Sequence, residues 1–143
     1  MLHLVSQLRR ARRNGSAANA RSSSTAWFRC VNTTRGTVLA ERVAWATGEA
    51  RKRGLLGHDR LDPSEGMYIV PTQWIHTIGM RFAIDIAFLG TDGRVLSVHR
   101  GLEPNRLSRL AFRAEGALEL AAGILQATRT EPGDVVQFED LDP

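Results

Sequence analysis

Bulky apolar residues alternate with polar ones in segments such as 27–32 and 37–46, whereas 83–89 is continuously apolar except for Asp85, and both patterns predict β-strands. The predicted strands are 27–32, 37–46, 67–70, 83–89, 94–102, 117–122 and 135–139, with a shorter or irregular eighth segment at 74–80. Turn-forming residues separate them, and Asp92-Gly93 is typical of a tight hairpin turn. Because the connections are short, most strands are expected to pair antiparallel with their neighbours.

One segment between the strands predicts a helix instead. Thr47 is a favourable N-cap for a helix over residues 48–56, and Gly57 is a natural position for its end. Gly54 inside that helix is expected to permit close packing against a strand. Residues 124–130 predict one or two further helical turns. The pattern as a whole predicts an α+β domain, mainly antiparallel, with a compact barrel-like sheet and one packed helix.

Positive charge is concentrated at the start of the chain. Seven arginines and no acidic residue precede Glu41, although the net charge of all 143 residues is only +4. Residues 1–26 are predicted to form a disordered basic leader. It is either a targeting segment or the product of a start codon assigned too far upstream. Residues 27–143 predict a single globular domain. Since the basic residues cluster in the leader, specific nucleic-acid binding is not expected.

The cysteine and histidine content limits the chemistry further. Cys30 is the single cysteine, which excludes an intramolecular disulfide and fits a reducing, cytoplasmic location. No run approaches the roughly 20 apolar residues of a membrane span. Neither the histidines nor the glycines show the spacing of a metal or nucleotide site, so no metal and no cofactor are predicted.

The block from Ile75 to Leu89 contains the best candidate site. Asp85 lies in it between Ile84 and Ile86, and a carboxylate in an apolar strand is costly to bury unless hydrogen-bond donors surround it. Two interpretations remain open. Asp85 orients a ligand at the mouth of a pocket, or it accepts backbone N–H groups or pairs with Arg81 and so fixes the loop before its strand.

Other candidates are expected near Asp85. His76 is a general base, a ligand contact or simply a hydrogen-bonded loop histidine. Glu119 faces either the same cleft as Asp85 or solvent. Trp74 and Met80 form apolar walls of a site or pack in the core. The predicted ligand-binding residues are Trp74, His76, Thr77, Met80, Arg81, Asp85 and Glu119, and no residue is assigned a catalytic role.

Several short segments between Val38 and Phe138 follow an order and spacing found in one known family. They are Ala46-Thr47 with Arg51, Gly54–Leu56, Gly66-Met67, His76–Phe88, Asp92–Val95, Leu118–Gly123 and Gly133-Asp134. On these residues the chain resembles domain of unknown function 192, a family of small bacterial and archaeal proteins. The family usually has proline where this chain has Ala83, so the backbone before the strand is expected to be looser.

The resemblance implies no activity, because the family has none established. Its members vary at the positions corresponding to 76–80, which argues against His76 as an essential catalyst. We therefore favour a non-catalytic accessory module that binds an unidentified small molecule or protein around residues 74–85. One alternative is a small enzyme that uses Asp85 with His76 or Glu119 as an acid–base pair. Another is a structural partner in a complex, bound through an exposed sheet edge.

Overall fold

The computed structural model describes residues 26–141, in which seven strands form one curled sheet with two short helices. The elements are β1 Trp27–Asn32, β2 Thr37–Ala46, α1 Gly48–Arg53, β3 Glu65–Ile69, β4 Ile84–Leu89, β5 Val95–Leu102, β6 Gly116–Ala121, α2 Ile124–Ala127 and β7 Val136–Asp140. The strand order is β5-β4-β6-β3-β2-β1-β7, and every neighbouring pair is antiparallel except β2 with β3. The α+β class and the barrel-like, mainly antiparallel sheet are thus confirmed.

The two edge strands approach each other at one end of the sheet. Arg94 and Val135, directly before β5 and β7, form an isolated antiparallel bridge. Next to it, the N–H of Val95 donates to the carbonyl of Asp134 at 2.8 Å. The sheet is therefore closed at this end and open at the other, as in a half-barrel.

Asn32 is the buried centre of a polar network at the closed end. Its Nδ2 donates to Thr130 Oγ1 and to Asp134 Oδ2, both at 3.0 Å, and its Oδ1 accepts from the backbone N–H of Arg35 at 3.0 Å. Arg35 Nε donates in turn to Asp134 Oδ2 at 3.0 Å. These bonds attach the turn after β1 to the turn before β7.

Asn32→Ala is expected to lower the free energy of unfolding by about 2–3 kcal/mol, because its removal leaves buried partners without hydrogen bonds. Urea unfolding followed by tryptophan fluorescence measures the change. The control is Gln126→Ala on the exposed side of α2, which should stay within about 0.5 kcal/mol of the wild type. Equal effects of the two substitutions would show that the network does not stabilise the closed end.

The sheet separates two apolar clusters. The first draws residues from all seven strands and therefore fills the inside of the curl; it contains Phe28, Cys30, Leu39, Val43, Tyr68, Ala87, Leu89, Val95, Leu118, Leu120, Leu125, Val136 and Phe138. The second involves only the middle strands and β5, and lies on the outer face; it contains Ala46, Leu55, Ile69, Ile75, Met80, Ile84, Ile86, Phe88, Leu102, Ala114 and Ala117. The outer cluster positions the site described below.

The structure corrects the predicted helix. Helix α1 ends at Arg53 instead of residue 56, because Gly54 leaves the helical conformation with a φ of +51°. Gly54 therefore terminates the helix, and it also lies close to β3, since a Cβ there would be 3.5 Å from the side chain of Ile69. The segment 74–80 is irregular apart from one bridge at His76.

The predicted basic leader, residues 1–26, lies outside the described residues except for Ala26. Within residues 26–141, helices α1 and α2 are both too short to cross a membrane.

Candidate functional site

Asp85 is 1% exposed on β4, and its carboxylate accepts three backbone hydrogen bonds. Oδ1 accepts from the N–H of Gly101 at 2.8 Å, and Oδ2 accepts from those of Gly123 and Leu125, both at 3.0 Å. Asp85 thus connects β4 to β5 and to the start of α2. Of the two interpretations of Asp85, the structure supports the one in which main-chain donors hold it as part of the fold.

Arg81 does not make the ion pair that was considered for Asp85. Its Nη1 donates to Oδ1 of Asp59, and both side chains are largely exposed. An exposed pair of this kind contributes about 0–1 kcal/mol to stability. The predicted pairing of Arg81 with Asp85 is therefore wrong. Arg81 instead connects the loop after α1 to the segment before β4.

Thr77 is buried and organises a pair of adjacent loops. Its Oγ1 accepts from the backbone N–H of Arg106 at 2.9 Å, and its own backbone N–H donates to the carbonyl of Arg106 at 2.9 Å. Further along, the N–H of Ser108 donates to the carbonyl of Ile75 at 2.8 Å. We call residues 73–80 and 103–113 the loop pair. Thr77 holds its two halves together. Its Oγ1 also donates to the carbonyl of Glu103, and its own carbonyl accepts from the N–H groups of Met80 and Asn105, so it has no free group for a ligand.

Glu119 and Asp85 face opposite sides of the sheet. In the pairing of β4 with β6, Asp85 lies opposite Leu120, and Ile86 lies opposite Glu119. Since successive side chains of a strand alternate between faces, Asp85 points into the inner cluster and Glu119 towards the outer one. Both alternatives for Glu119 are therefore wrong: it does not share a cleft with Asp85, and at 2% exposure it does not face solvent.

A cavity of about 290 Å³ lies on the outer face, between α1, the sheet and the first half of the loop pair. Its apolar walls are Leu55, Leu56, Ile69, Trp74, Ile75 and Met80. His76 and Glu119 are polar residues of its lining, and Arg51, Lys52 and Arg53 of α1 also border it. The imidazole of His76 lies 6.0 Å from the Trp74 ring, centroid to centroid.

Glu119 has an unusual environment at this cavity. The residue is 2% exposed, and its Oε2 has no hydrogen-bond partner within residues 26–141. Burial raises the pKa of Glu119 to about 8, so the carboxyl is mainly protonated at neutral pH. A buried polar atom without a partner costs about 1–3 kcal/mol. A bound molecule that supplied the missing partner would recover that cost.

The cavity brings together four of the seven residues predicted to bind a ligand, namely Trp74, His76, Met80 and Glu119. Thr77, Arg81 and Asp85 do not line it. Sequence reasoning missed Arg51, Arg53 and Leu55 as site residues. The basic run directly before Gly54-Leu55-Leu56 was the available signal, but nothing local shows which part of the sheet a helix covers.

The loop pair also exposes apolar side chains to solvent. Trp74, Ile78, Leu107, Leu110 and Phe112 are 49%, 57%, 62%, 51% and 78% exposed. They are five of the six large apolar side chains that are exposed in the described part of the chain. Apolar surface concentrated in this way is typical of contact sites. Between residues 26 and 141, no three His, Cys, Asp or Glu side chains are grouped so that they could hold a metal ion.

The fold and the cavity define an α+β half-barrel with a small, partly apolar pocket on its outer face. The sequence matches the profile of the family DUF192, described as "Uncharacterized ACR", over residues 30–138. The chain therefore belongs to the DUF192 family, as its sequence motifs predicted.

Two solved structures share the fold. A protein of Sinorhizobium meliloti 1021, named as a candidate transcription regulator, is 21% identical with a TM-score of 0.68, and the match covers 84% of this chain and 98% of that one. A protein of unknown function from Novosphingobium aromaticivorans DSM 12444 is 24% identical with a TM-score of 0.67, covering 85% and 94% of the two chains. At these identities the likeness establishes the fold alone. No curated protein matches the sequence.

Proposed function

We propose that this protein is a non-catalytic module that binds a small molecule in the cavity between α1 and the outer face of the sheet. The observation that carries the proposal is that Glu119 lines the cavity and has a buried Oε2 atom without a hydrogen-bond partner in the described residues. Native proteins rarely leave such an atom unpaired unless another molecule or a function requires it. The volume of about 290 Å³ is near the lower end of the range for small-molecule sites.

Binding is favoured over catalysis because the lining offers few reactive groups. Asp85, the acid of the catalytic alternative, uses its oxygens for main-chain donors on the opposite face. The catalytic alternative is therefore left with His76 and Glu119 as its acid–base pair, since both residues line the cavity. A protein partner is the other alternative, and the exposed apolar side chains of the loop pair support it. A sheet edge supports it less, because the bridge between Arg94 and Val135 shortens the free edges of β5 and β7.

Native mass spectrometry of the protein after incubation with the small-molecule fraction of a bacterial cell extract tests the proposal. We expect a bound molecule on the wild type and its loss from Trp74→Ala, which removes a cavity wall from a half-exposed position without opening the core. Phe112→Ala is the control, because Phe112 is 78% exposed on the same loop pair and lies outside the cavity.

The other outcomes also decide between functions. A wild type that binds nothing, or a molecule that both variants retain, contradicts the proposed site. A molecule that is bound but chemically changed after incubation favours the His76–Glu119 acid–base alternative over simple binding. Comparing the molecule before and after contact with the protein distinguishes these two results.

A further inference from the structure

We infer that the molecule taken by this cavity is a small organic anion, with a carboxylate or phosphate group at the α1 rim and an apolar body reaching inward to Glu119. The inference rests on the proposed function, because it names the chemical class of ligand for that same site. Three features of the lining support it: the charge of the rim, the apolar walls and the protonation of the inner carboxyl.

The rim is positively charged. Arg51, Lys52 and Arg53 form the last turn of α1 and border the cavity. Lys52 is paired with Glu49 at 3.4 Å, whereas Arg51 Nη1 donates only to the carbonyl of Pro71 at 3.1 Å. Neither Arg51 nor Arg53 pairs with a carboxylate within residues 26–141. Arg53 and the remaining N–H groups of Arg51 can therefore bind an anion, and guanidinium groups often do so through two parallel hydrogen bonds.

Compensation of the helix dipole is a simpler reason for basic residues in the last turn of a helix. It explains why they occur on α1, but it does not require that they border a cavity. Glu119 is the single acidic residue in the lining, and it is buried well inside. The positive charges of Arg51 and Arg53 are therefore not balanced by an acidic residue of the rim.

The interior of the cavity suits the uncharged part of such a molecule. Leu55, Ile69 and Met80 are buried apolar walls, where a charged group would lose its hydration without gaining a partner. Because burial raises the pKa of Glu119 to about 8, its carboxyl is mainly neutral and does not repel an anion. In that form it can donate a hydrogen bond to a single acceptor atom at the inner end of an otherwise apolar body.

The test uses matched fragment pairs, each a carboxylic acid and the primary amide of the same skeleton, with a few primary amines added. Binding to the ¹⁵N-labelled full chain is followed through the indole N–H of Trp74, which is identified by its loss in Trp74→Phe. We expect the acids to bind at least about tenfold more tightly than their amides at low salt. In Arg51→Gln/Arg53→Gln the preference should fall below about threefold, with the affinity of the amides unchanged.

The control is Arg60→Gln/Arg109→Gln, which removes the same charge from exposed positions outside the cavity and should retain the preference. If amides or amines bind as tightly as the acids, the anion inference is overturned and the binding function stands. If no fragment shifts the Trp74 signal, the proposed function fails together with the inference. A preference for acids that the control variant loses equally also overturns the inference, because it reflects overall charge.

Discussion

Asp85→Asn is expected to lower the free energy of unfolding by about 3–5 kcal/mol, a large part of the 5–15 kcal/mol typical of a domain. The carboxylate accepts from Gly101 through one oxygen and from Gly123 and Leu125 through the other. Asparagine offers a single oxygen, so its NH₂ group must face at least one of these buried donors. Charge-assisted bonds to the remaining donors also become ordinary ones.

The measurement is urea unfolding at neutral pH, with Asp59→Asn as the matched control. Asp59→Asn is the same substitution in an exposed ion pair, and it is expected to change the free energy of unfolding by at most about 1 kcal/mol. An Asp85→Asn protein as stable as the control would show that these main-chain donors do not depend on the carboxylate. The interpretation of Asp85 as part of the fold would then be lost.

Glu119→Gln is expected to act in the opposite direction and to stabilise the protein at pH 8 by about 2–4 kcal/mol. Burial raises the pKa of Glu119 from 4.5 to about 8 in the folded protein. Between these values the folded state keeps a proton that the unfolded chain has released. The stabilisation from the neutral carboxyl is complete below pH 4.5 and is lost as the pH rises to about 8, with a slope near 1.4 kcal/mol per unit.

Glutamine has nearly the same shape and is uncharged at every pH, so the variant should lack this slope. Unfolding free energies of wild type and variant, measured by urea titration from pH 4 to 9, should agree at the acidic end and diverge steadily above it. Parallel curves across the whole range would mean that Glu119 titrates normally, and that the cavity is open to water. Stabilisation by removal of a charge is typical of a group retained for function.

The sequence predicted those parts of the fold that depend on local pattern. The bounds of β1 and β2 follow from alternation and from the turn residues between them. The donors to Asp85 could not be predicted, because they lie 16, 38 and 40 residues further along the chain. Only the complete sheet brings them together.

Part of the cavity lining could be predicted from the sequence for the same reason. Trp74, His76 and Met80 are close in sequence, and their concentration of aromatic and polar groups indicated a site. The sequence could not decide whether Glu119 faces the cleft of Asp85 or solvent, because its register with β4 was unknown, and a shift of one residue changes the face of a strand. The basic rim on α1 depends on how that helix packs, which no local pattern specifies.

The cavity is covered by the segment that joins the parallel strands β2 and β3. Two parallel neighbours cannot be joined by a tight turn, so residues 47–64, which include α1, must cross the sheet to connect them. Both ends of this crossover are fixed by strands, whereas α1 makes few contacts with the strands. Changes in its length or composition would alter what the cavity admits and leave the barrel intact. One scaffold can in this way diversify its specificity through a single connecting segment.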